Sequence, residues 1–354
     1  MADTYTVEGI VRALVRDAGG MIPLRKEQMM CTCAMYQTKD HYFGRNLDLE
    51  FSYQESVTIM PRNFPIPFRK EKTINSHYSI IGMAFVCDNF PLYYDATNEY
   101  GLSMAGLNFP DNGYFPEPVS DGKDHIAPFE FIAWILSQCK NLKEARTLLD
   151  RICIVNIPFS KDLPITPLHW MIADQTGSLV VESVRDGLHI YENPVGVMTN
   201  NPTFDKQLFR LNDYRSVSAG PSANTFAKEL ELSPYSRGMG GIGLPGDLSS
   251  GSRFVKVAFT KLNSVSPEDE DSSVSQFFHI LGSVEQQRGC CDLGDGKYEI
   301  TIYSSCCNMD RGIYYYRTYD NSQINAVDMH HENLDGEKLA SYPLATKQAI
   351  HRVN

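Results

Sequence analysis

Met30 and Cys31 stand next to each other, and an Arg-Asn-x-Asp cluster, Arg45, Asn46 and Asp48, returns shortly after them from a second apolar run. A cysteine that becomes the first residue of a mature chain carries a nucleophilic sulfur together with a free amine that can act as its own base. An unperturbed α-amine has a pKa of ~7.7 to 8, which suits a base working near neutral pH. Arg45 would then favour the thiolate by charge, Asp48 would orient the amine, and asparagines would donate to the oxyanion of an attacked carbonyl. Each residue alone has a duller reading, since an Arg-Asp pair on a hairpin is usually a surface ion pair worth ~0 to 1 kcal/mol. Histidine, the more usual base, offers no partner that its neighbours single out. His169 sits in a strand-like LHW run, His279 on a helix face, and His330-His331 near a polar tail.

The elements around these residues must bring them together. Cys31, Cys33 and Met35 alternate with Thr32, Ala34 and Tyr36, so period two sends each set to its own face of a strand. Thr38-Lys39-Asp40 is a polar break, and residues 41–51 read as a returning strand. A hairpin turning near Lys39 brings Arg45 to Asp48 back opposite Cys31 and Cys33, within a residue or two. Cys33 shares the face of Cys31 about 7 Å away and is read as packing.

Further strands are expected at 78–86 and 101–108, the second ending on Asn108 before Phe109-Pro110. A helix is expected at 128–138, with proline at a tolerated early position. A second helix starts at Asn141, whose partner Glu144 gives a capping-box spacing. LHWMIAD, SLVVESV and LHIYEN, separated by Gln175-Thr176-Gly177 and Arg185-Asp186-Gly187, read as three strands. Asn200 follows at a strand end before an Asn-Pro turn. Residues 212–238 are polar and irregular, and the glycines of GMGGIGLPGD lack the spacing of a dinucleotide-binding loop. A helix opens at Ser252-Arg253-Phe254, a charged linker is expected over 267–273, and a helix over 276–284. Strands at 299–304 and 312–319 finish the chain. Hairpin connections in this order favour an α+β layered fold in one domain over a parallel sheet.

Composition narrows the function. With 354 residues, 42% of them hydrophobic, the chain can bury a large core. A net charge of -11 argues against nucleic acid or an anionic membrane as partner. No window approaches the ~18 to 20 apolar residues of a spanning helix. Residues 1–29 do not resemble a secretory signal, because Asp3, Glu8 and Asp17 are spread through them. Nine cysteines are too sparse for a disulfide scaffold, so reduced thiols in the cytoplasm are expected. Cys290/Cys291 and Cys306/Cys307 have neither CxxC spacing nor an HxxxH partner, and neither a metal nor a cofactor is expected.

The run MCT followed by FGRNLD, then NEYGLSMAGLNFP, LHWMIAD, VMTNNPTFD, GLPGDLSSGSRF and YYYRTYDNSQINAVD, resembles the choloylglycine hydrolase family over residues 30–354. That group of N-terminal-nucleophile hydrolases holds conjugated bile salt hydrolases and penicillin V acylases. The resemblance implies a four-layer αββα sandwich. It implies Cys31 as nucleophile, Arg45 and Asp48 beside it, Asn200 and Asn108 at the oxyanion, and Arg253 as the remaining site arginine. Asparagine at 108, where the penicillin V acylase branch tends to carry tyrosine, tilts the chain toward conjugated bile salts. Leu47, Phe159 and Leu163 are assigned by position to an apolar wall for the sterol. Members are often homotetramers, assisted by an extended loop whose place residues 212–238 occupy. A penicillin V or N-acyl-homoserine-lactone acylase is the alternative, as is, from another class, a silent binding protein that keeps its N-terminal extension.

The leading segment bears on all of this. Val7, Ile10, Val11, Leu14 and Val15 share one face of a short helix ended by Gly19-Gly20. Residues 1–30 are read as an extension absent from the active form, through an upstream start or as a propeptide, leaving a single domain over 31–354. While they remain attached, the Cys31 nitrogen is an amide and cannot act as a base, so the full-length chain is expected to be inactive.

Overall fold

The computed structural model describes residues 30–354, and the helix expected near Val7 to Val15 lies outside them. The alternation that begins at Cys31 forms β1 (Cys31–Gln37), and the run after the polar break forms β2 (His41–Leu49). Their hairpin turns at Thr38 to Asp40 and pairs Gln37 with His41, Cys33 with Arg45 and Cys31 with Leu47. These pairs fall within the residue or two that the turn and period two allow.

The hairpin is central to a six-stranded antiparallel sheet. Across it run β12 (Val197–Met198), β1, β2, β15 (Ile300–Asn308), β16 (Ile313–Thr318) and β17 (Asn321–Asp328). An eight-stranded antiparallel sheet lies against it. Its order is β11 (Gly187–Glu192), β10 (Gly177–Val184), β9 (Leu168–Asp174), β6 (Ser103–Asn108), β5 (Phe90–Asn98), β4 (Ile80–Cys87), β3 (Ser56–Met60) and β18 (Ala340–Pro343). Two small ribbons, β7 (Asp124–Ile126) with β8 (Ile152–Ile154) and β13 (Asp292–Gly294) with β14 (Lys297–Tyr298), stand apart.

Helices close both outer faces. α1 (Phe131–Gln138) and α2 (Leu142–Leu149) cover the eight-stranded sheet, α3 (Phe204–Arg210) follows the Asn-Pro turn, and α4 (Ser250–Asn263) and α5 (Glu270–Gly282) cover the six-stranded sheet. The result is a four-layer αββα sandwich. One hydrophobic cluster joins Leu47, Ile81, Leu107 and Met171 between the sheets to Phe254 and Phe277 on the helices beyond. A second, with Trp134, Ile135 and Trp170, fills the layer behind the eight-stranded sheet. β15 is buried along its whole length, as a strand covered on both faces must be.

Local chemistry sets the helix ends. Asn141 accepts from the Glu144 amide at 3.0 Å, as the spacing predicts. α5 begins at Glu270, ahead of the expected 276, because Asp269 caps it by accepting from the Ser272 amide at 2.9 Å. The acids read as a linker are the first turn, where the positive end of the helix dipole favours them. Strands β3, β5, β17 and β18 add to those the sequence pattern predicts. No described helix is long and apolar enough to cross a membrane.

Candidate active site

Cys31 begins β1 and is buried. Cys33, on the same face, has its sulfur 3.4 Å from the Met171 sulfur of β9, so both cysteines look toward the eight-stranded sheet. The Cys31 amide donates to Asn200 Oδ1 at 2.8 Å, and the Cys31 carbonyl accepts from Arg253 Nη1 at 2.5 Å. Ahead of it, the Met30 amide donates to Glu299 Oε1 at 2.6 Å, and the Asp48 amide donates to the Met30 carbonyl at 3.1 Å.

Arg45 reaches across the space between the sheets. Its Nη1 donates to the carbonyls of Tyr94 on β5 (3.0 Å) and Gly106 on β6 (2.6 Å). Its own amide donates to Ser305 Oγ on β15 at 3.1 Å. The approach of β2 to β15 that allows this depends on Gly44, where a Cβ would stand 2.0 Å from the Ser305 carbonyl oxygen. Burial pushes the Cys31 thiol up, and the Arg45 guanidinium is the strongest influence pulling it back down.

Arg253, on α4, is completely buried and spends its fork on this corner. Besides the Cys31 carbonyl it donates to Thr32 Oγ1 at 2.6 Å, to Asn200 Oδ1 at 2.8 Å and, from Nε, to the Leu248 carbonyl at 2.9 Å. Asp48 is pushed up to about 6 by burial, against the opposing pull of Arg253 and of the Thr301 hydroxyl, which donates to its Oδ1 at 2.6 Å. Burial likewise raises Glu299 to about 8.

Two asparagine-bearing arms complete the corner. Asn200 Nδ2 donates to the Asn108 carbonyl at 2.7 Å, and Asn201 Nδ2 to the Pro110 carbonyl at 2.8 Å. The first bond occupies one hydrogen of the Asn200 amide and leaves a second for another acceptor. A sulfur, a main-chain nitrogen, an amide donor and two buried cations therefore converge, which is the equipment of acyl transfer from an amide.

Residues 31–342 match the model of the linear amide C–N hydrolases, choloylglycine hydrolase family. The chain belongs to this family. Within it, a bile salt hydrolase/transferase of Lactiplantibacillus plantarum is 56% identical over 325 residues, 92% of this chain and 100% of that protein. A cysteine-to-alanine mutant of the conjugated bile acid hydrolase from Clostridium perfringens superposes with a TM-score of 0.85 at 38% identity, covering 92% of this chain and all of that one. Penicillin V acylase from Agrobacterium tumefaciens, at 18% identity, shares the fold with a TM-score of 0.69 over 88% of this chain and 90% of its own. As a choloylglycine hydrolase family member the chain is a carbon-nitrogen amide hydrolase.

The structure brings Cys31, Arg45, Asp48, Asn108, Asn200 and Arg253 into one buried corner, with Leu47 paired directly opposite Cys31. It does not bring Phe159 there. That ring packs on Phe90 and Phe129, with Arg69 over it, in the layer behind the eight-stranded sheet. Leu163, half-buried on the same loop, donates its amide to Ser160 Oγ at 3.1 Å and accepts from the Ser160 amide at its carbonyl. Sequence reasoning did not single out Thr32, Glu299 or Thr301. Thr32 stands in the MCT run, whereas Glu299 and Thr301 reach the corner through the pairing of β15 with β2, which no local spacing announces. Cys290, Cys291, Cys306 and Cys307 are free thiols, as are the other five cysteines.

Proposed function

We propose that the chain hydrolyses the amide bond of glycine- or taurine-conjugated bile acids, with Cys31 as an N-terminal nucleophile, in a form that begins at Cys31. The observation that carries this reading is the grip on the Cys31 main chain. Its nitrogen, which would become the catalytic amine, lies 2.8 Å from Asn200 Oδ1, and Arg253 bridges that oxygen and the Cys31 carbonyl. The relatives named for bile salt hydrolysis, and a family match that starts at Cys31, support the substrate class and the start.

In this mechanism the Cys31 sulfur attacks the amide carbonyl, and the amine takes the thiol proton. The oxyanion rests on Asn200 Nδ2 and the neighbourhood of Asn108. Such a donor typically contributes ~3 to 4 kcal/mol of transition-state stabilisation. The amine then delivers the proton to leaving glycine or taurine, and water activated by the same amine cleaves the thioester. Arg45 favours the thiolate, Asp48 orients the amine and Arg253 fixes its main chain. The apolar wall for the sterol is assigned to Leu47, which is paired with Cys31, and to Leu163; Phe159, packed on Phe90 and Phe129, is not proposed for it. The working form is a homotetramer in the cytoplasm. Residues 212–238 assist assembly, and their exposed Phe226, Leu232 and Tyr235 support that role.

The test compares the chain starting at Cys31 with full-length protein whose intact mass has been verified, on taurocholate, glycocholate and penicillin V. Hydrolysis of the conjugated bile salts by the shorter form alone is expected. Undiminished activity of the full-length chain would refute the amine as base, and preference for penicillin V would refute the substrate class. Light scattering of the active form reads its assembly.

A further inference from the structure

His169 and Glu182 form a buried dyad that the proposed mechanism does not use. Both side chains have no solvent exposure, and His169 Nδ1 lies 3.1 Å from Glu182 Oε1. Their remaining polar atoms, His169 Nε2 and Glu182 Oε2, have no hydrogen-bond partner. Two apolar side chains would fill this space at less cost to folding. What the dyad holds explains its presence.

It holds both asparagine arms. The Phe109 ring, which follows Asn108, stacks on the His169 ring with centroids 4.1 Å apart and planes 5° from parallel. Glu182 Oε1, the same oxygen that His169 faces, accepts from the Phe204 amide at 3.0 Å. Phe204 begins α3, and Gln207 of that helix donates from Nε2 to the Asn200 carbonyl at 2.6 Å. The ring thus fixes the level of the arm carrying Asn108, and the carboxylate fixes the arm carrying Asn200. The arms meet in the bonds from Asn200 to Asn108 and from Asn201 to Pro110.

We infer that His169 and Glu182 are positioning residues that set the spacing of the two oxyanion arms, with His169 stacked on Phe109 and joined to Glu182 at the oxygen that receives the Phe204 amide. This rests on the proposed function, because it takes Asn200 and the Asn108 arm as the oxyanion site. A device that places a donor acts on the tetrahedral state more than on substrate binding.

The experiment uses the active enzyme with His169→Gln, His169→Asn and Glu182→Gln, each verified as folded by its thermal transition. Asparagine can place an N–H where Nδ1 stood, whereas glutamine extends its amide beyond that point. His169→Gln is expected to lower kcat for glycocholate about tenfold to a hundredfold, the range for a displacement transmitted to a catalytic group. KM should change little, and His169→Asn, which restores the bond to Glu182 without the ring, should recover part of the loss. Binding of an aldehyde that replaces the bile acid carboxamide should weaken by the same factor as kcat. The Cys31 sulfur adds to that carbonyl carbon and the thiol proton ends on the new oxygen, so the adduct needs the same arms. Unchanged kcat in folded His169→Gln would overturn the inference, as would a fall in kcat with the aldehyde bound normally and no recovery by asparagine. Asn200→Ala is measured alongside. If it keeps wild-type kcat, the oxyanion reading itself fails; if it loses activity while folded His169→Gln does not, the dyad's role alone fails.

Discussion

Asp48→Asn exposes what the candidate site costs the fold. The Asp48 carboxyl has no solvent exposure, one oxygen takes the Thr301 hydroxyl, and the other has no partner. Burial raises the carboxyl from its ordinary 3.8 to about 6. That difference corresponds to about 3 kcal/mol. The sign follows from which state holds the proton. Below about pH 4 the carboxyl is protonated both folded and unfolded and contributes nothing to pH dependence. As pH rises toward 6 the unfolded chain releases its proton while the folded chain keeps it, so stability is lost, and above about 6 the whole penalty stands. Asparagine cannot ionise. The stability of Asp48→Asn relative to wild type should therefore improve by about 3 kcal/mol between pH 4 and pH 7. An unpaired asparagine amide would shift both ends of that comparison equally and leave the slope intact. Urea unfolding of both proteins at four pH values across the window, at one protein concentration, measures the difference. Catalysis should be lost in the same variant. A stability difference that is flat with pH, or that favours wild type as pH rises, would refute the account of Asp48 as a carboxylate held ionised at the fold's expense.

Other outcomes follow from single contacts. Cys31→Ser should abolish hydrolysis while Cys33→Ser retains it, since the Cys33 sulfur packs on Met171; equal loss in steady-state assays of both would mean the nucleophile is misassigned. Gly44→Ala should cost roughly 3 kcal/mol or more in thermal or urea unfolding, because its Cβ would meet the Ser305 carbonyl at 2.0 Å and force β2 from β15. Activity should fall with it, since Arg45 loses its seat; a variant of wild-type stability would show that the two strands can separate without cost.

The parts of the site readable from sequence are those fixed by local rules. The polar turn and the two-residue period bring Arg45 to Asp48 back opposite Cys31 and Cys33 within a residue or two, and the observed pairs, Cys33 with Arg45 and Cys31 with Leu47, fall within that margin. Asn108 ends β6 of one sheet and Asn200 follows β12 of the other, and only the order of several motifs linked them to Cys31; the bond between them spans 92 positions. Thr301 and Glu299 were beyond such reasoning. Thr301 lies on, and Glu299 just ahead of, a strand about 250 residues away whose register with β2 shifts at a bulge between Thr301 and Tyr303, so its alternation does not reveal which side chains meet Asp48. Phe159 shows the opposite limit. The family resemblance assigns it by position to an apolar wall, yet the ring packs on Phe90 and Phe129, and packing partners of this kind carry no sequence signature.

The charges of the corner explain why the state of the Cys31 nitrogen matters so much. Arg45 and Arg253 bring two buried cations, whereas of the carboxyls facing the corner Asp48, at about 6, is ionised near neutral pH and Glu299, at about 8, keeps its proton. Near neutral pH the corner therefore leans positive, which favours a thiolate. Yet burial holds the Cys31 thiol above its ordinary value, so a cationic neighbourhood alone does not ionise it. With Met30 attached, the Cys31 nitrogen is an amide donor with no lone pair for a proton, and its carbonyl neighbour is held by the Asp48 amide. Releasing residues 1–30 would put a titratable amine at the one point where a base is missing, on the residue whose charge already feels the Asp48 carboxyl. The same step that creates the base would thus lower the Asp48 carboxyl, and the pH window of its stability penalty should move down in the form that begins at Cys31.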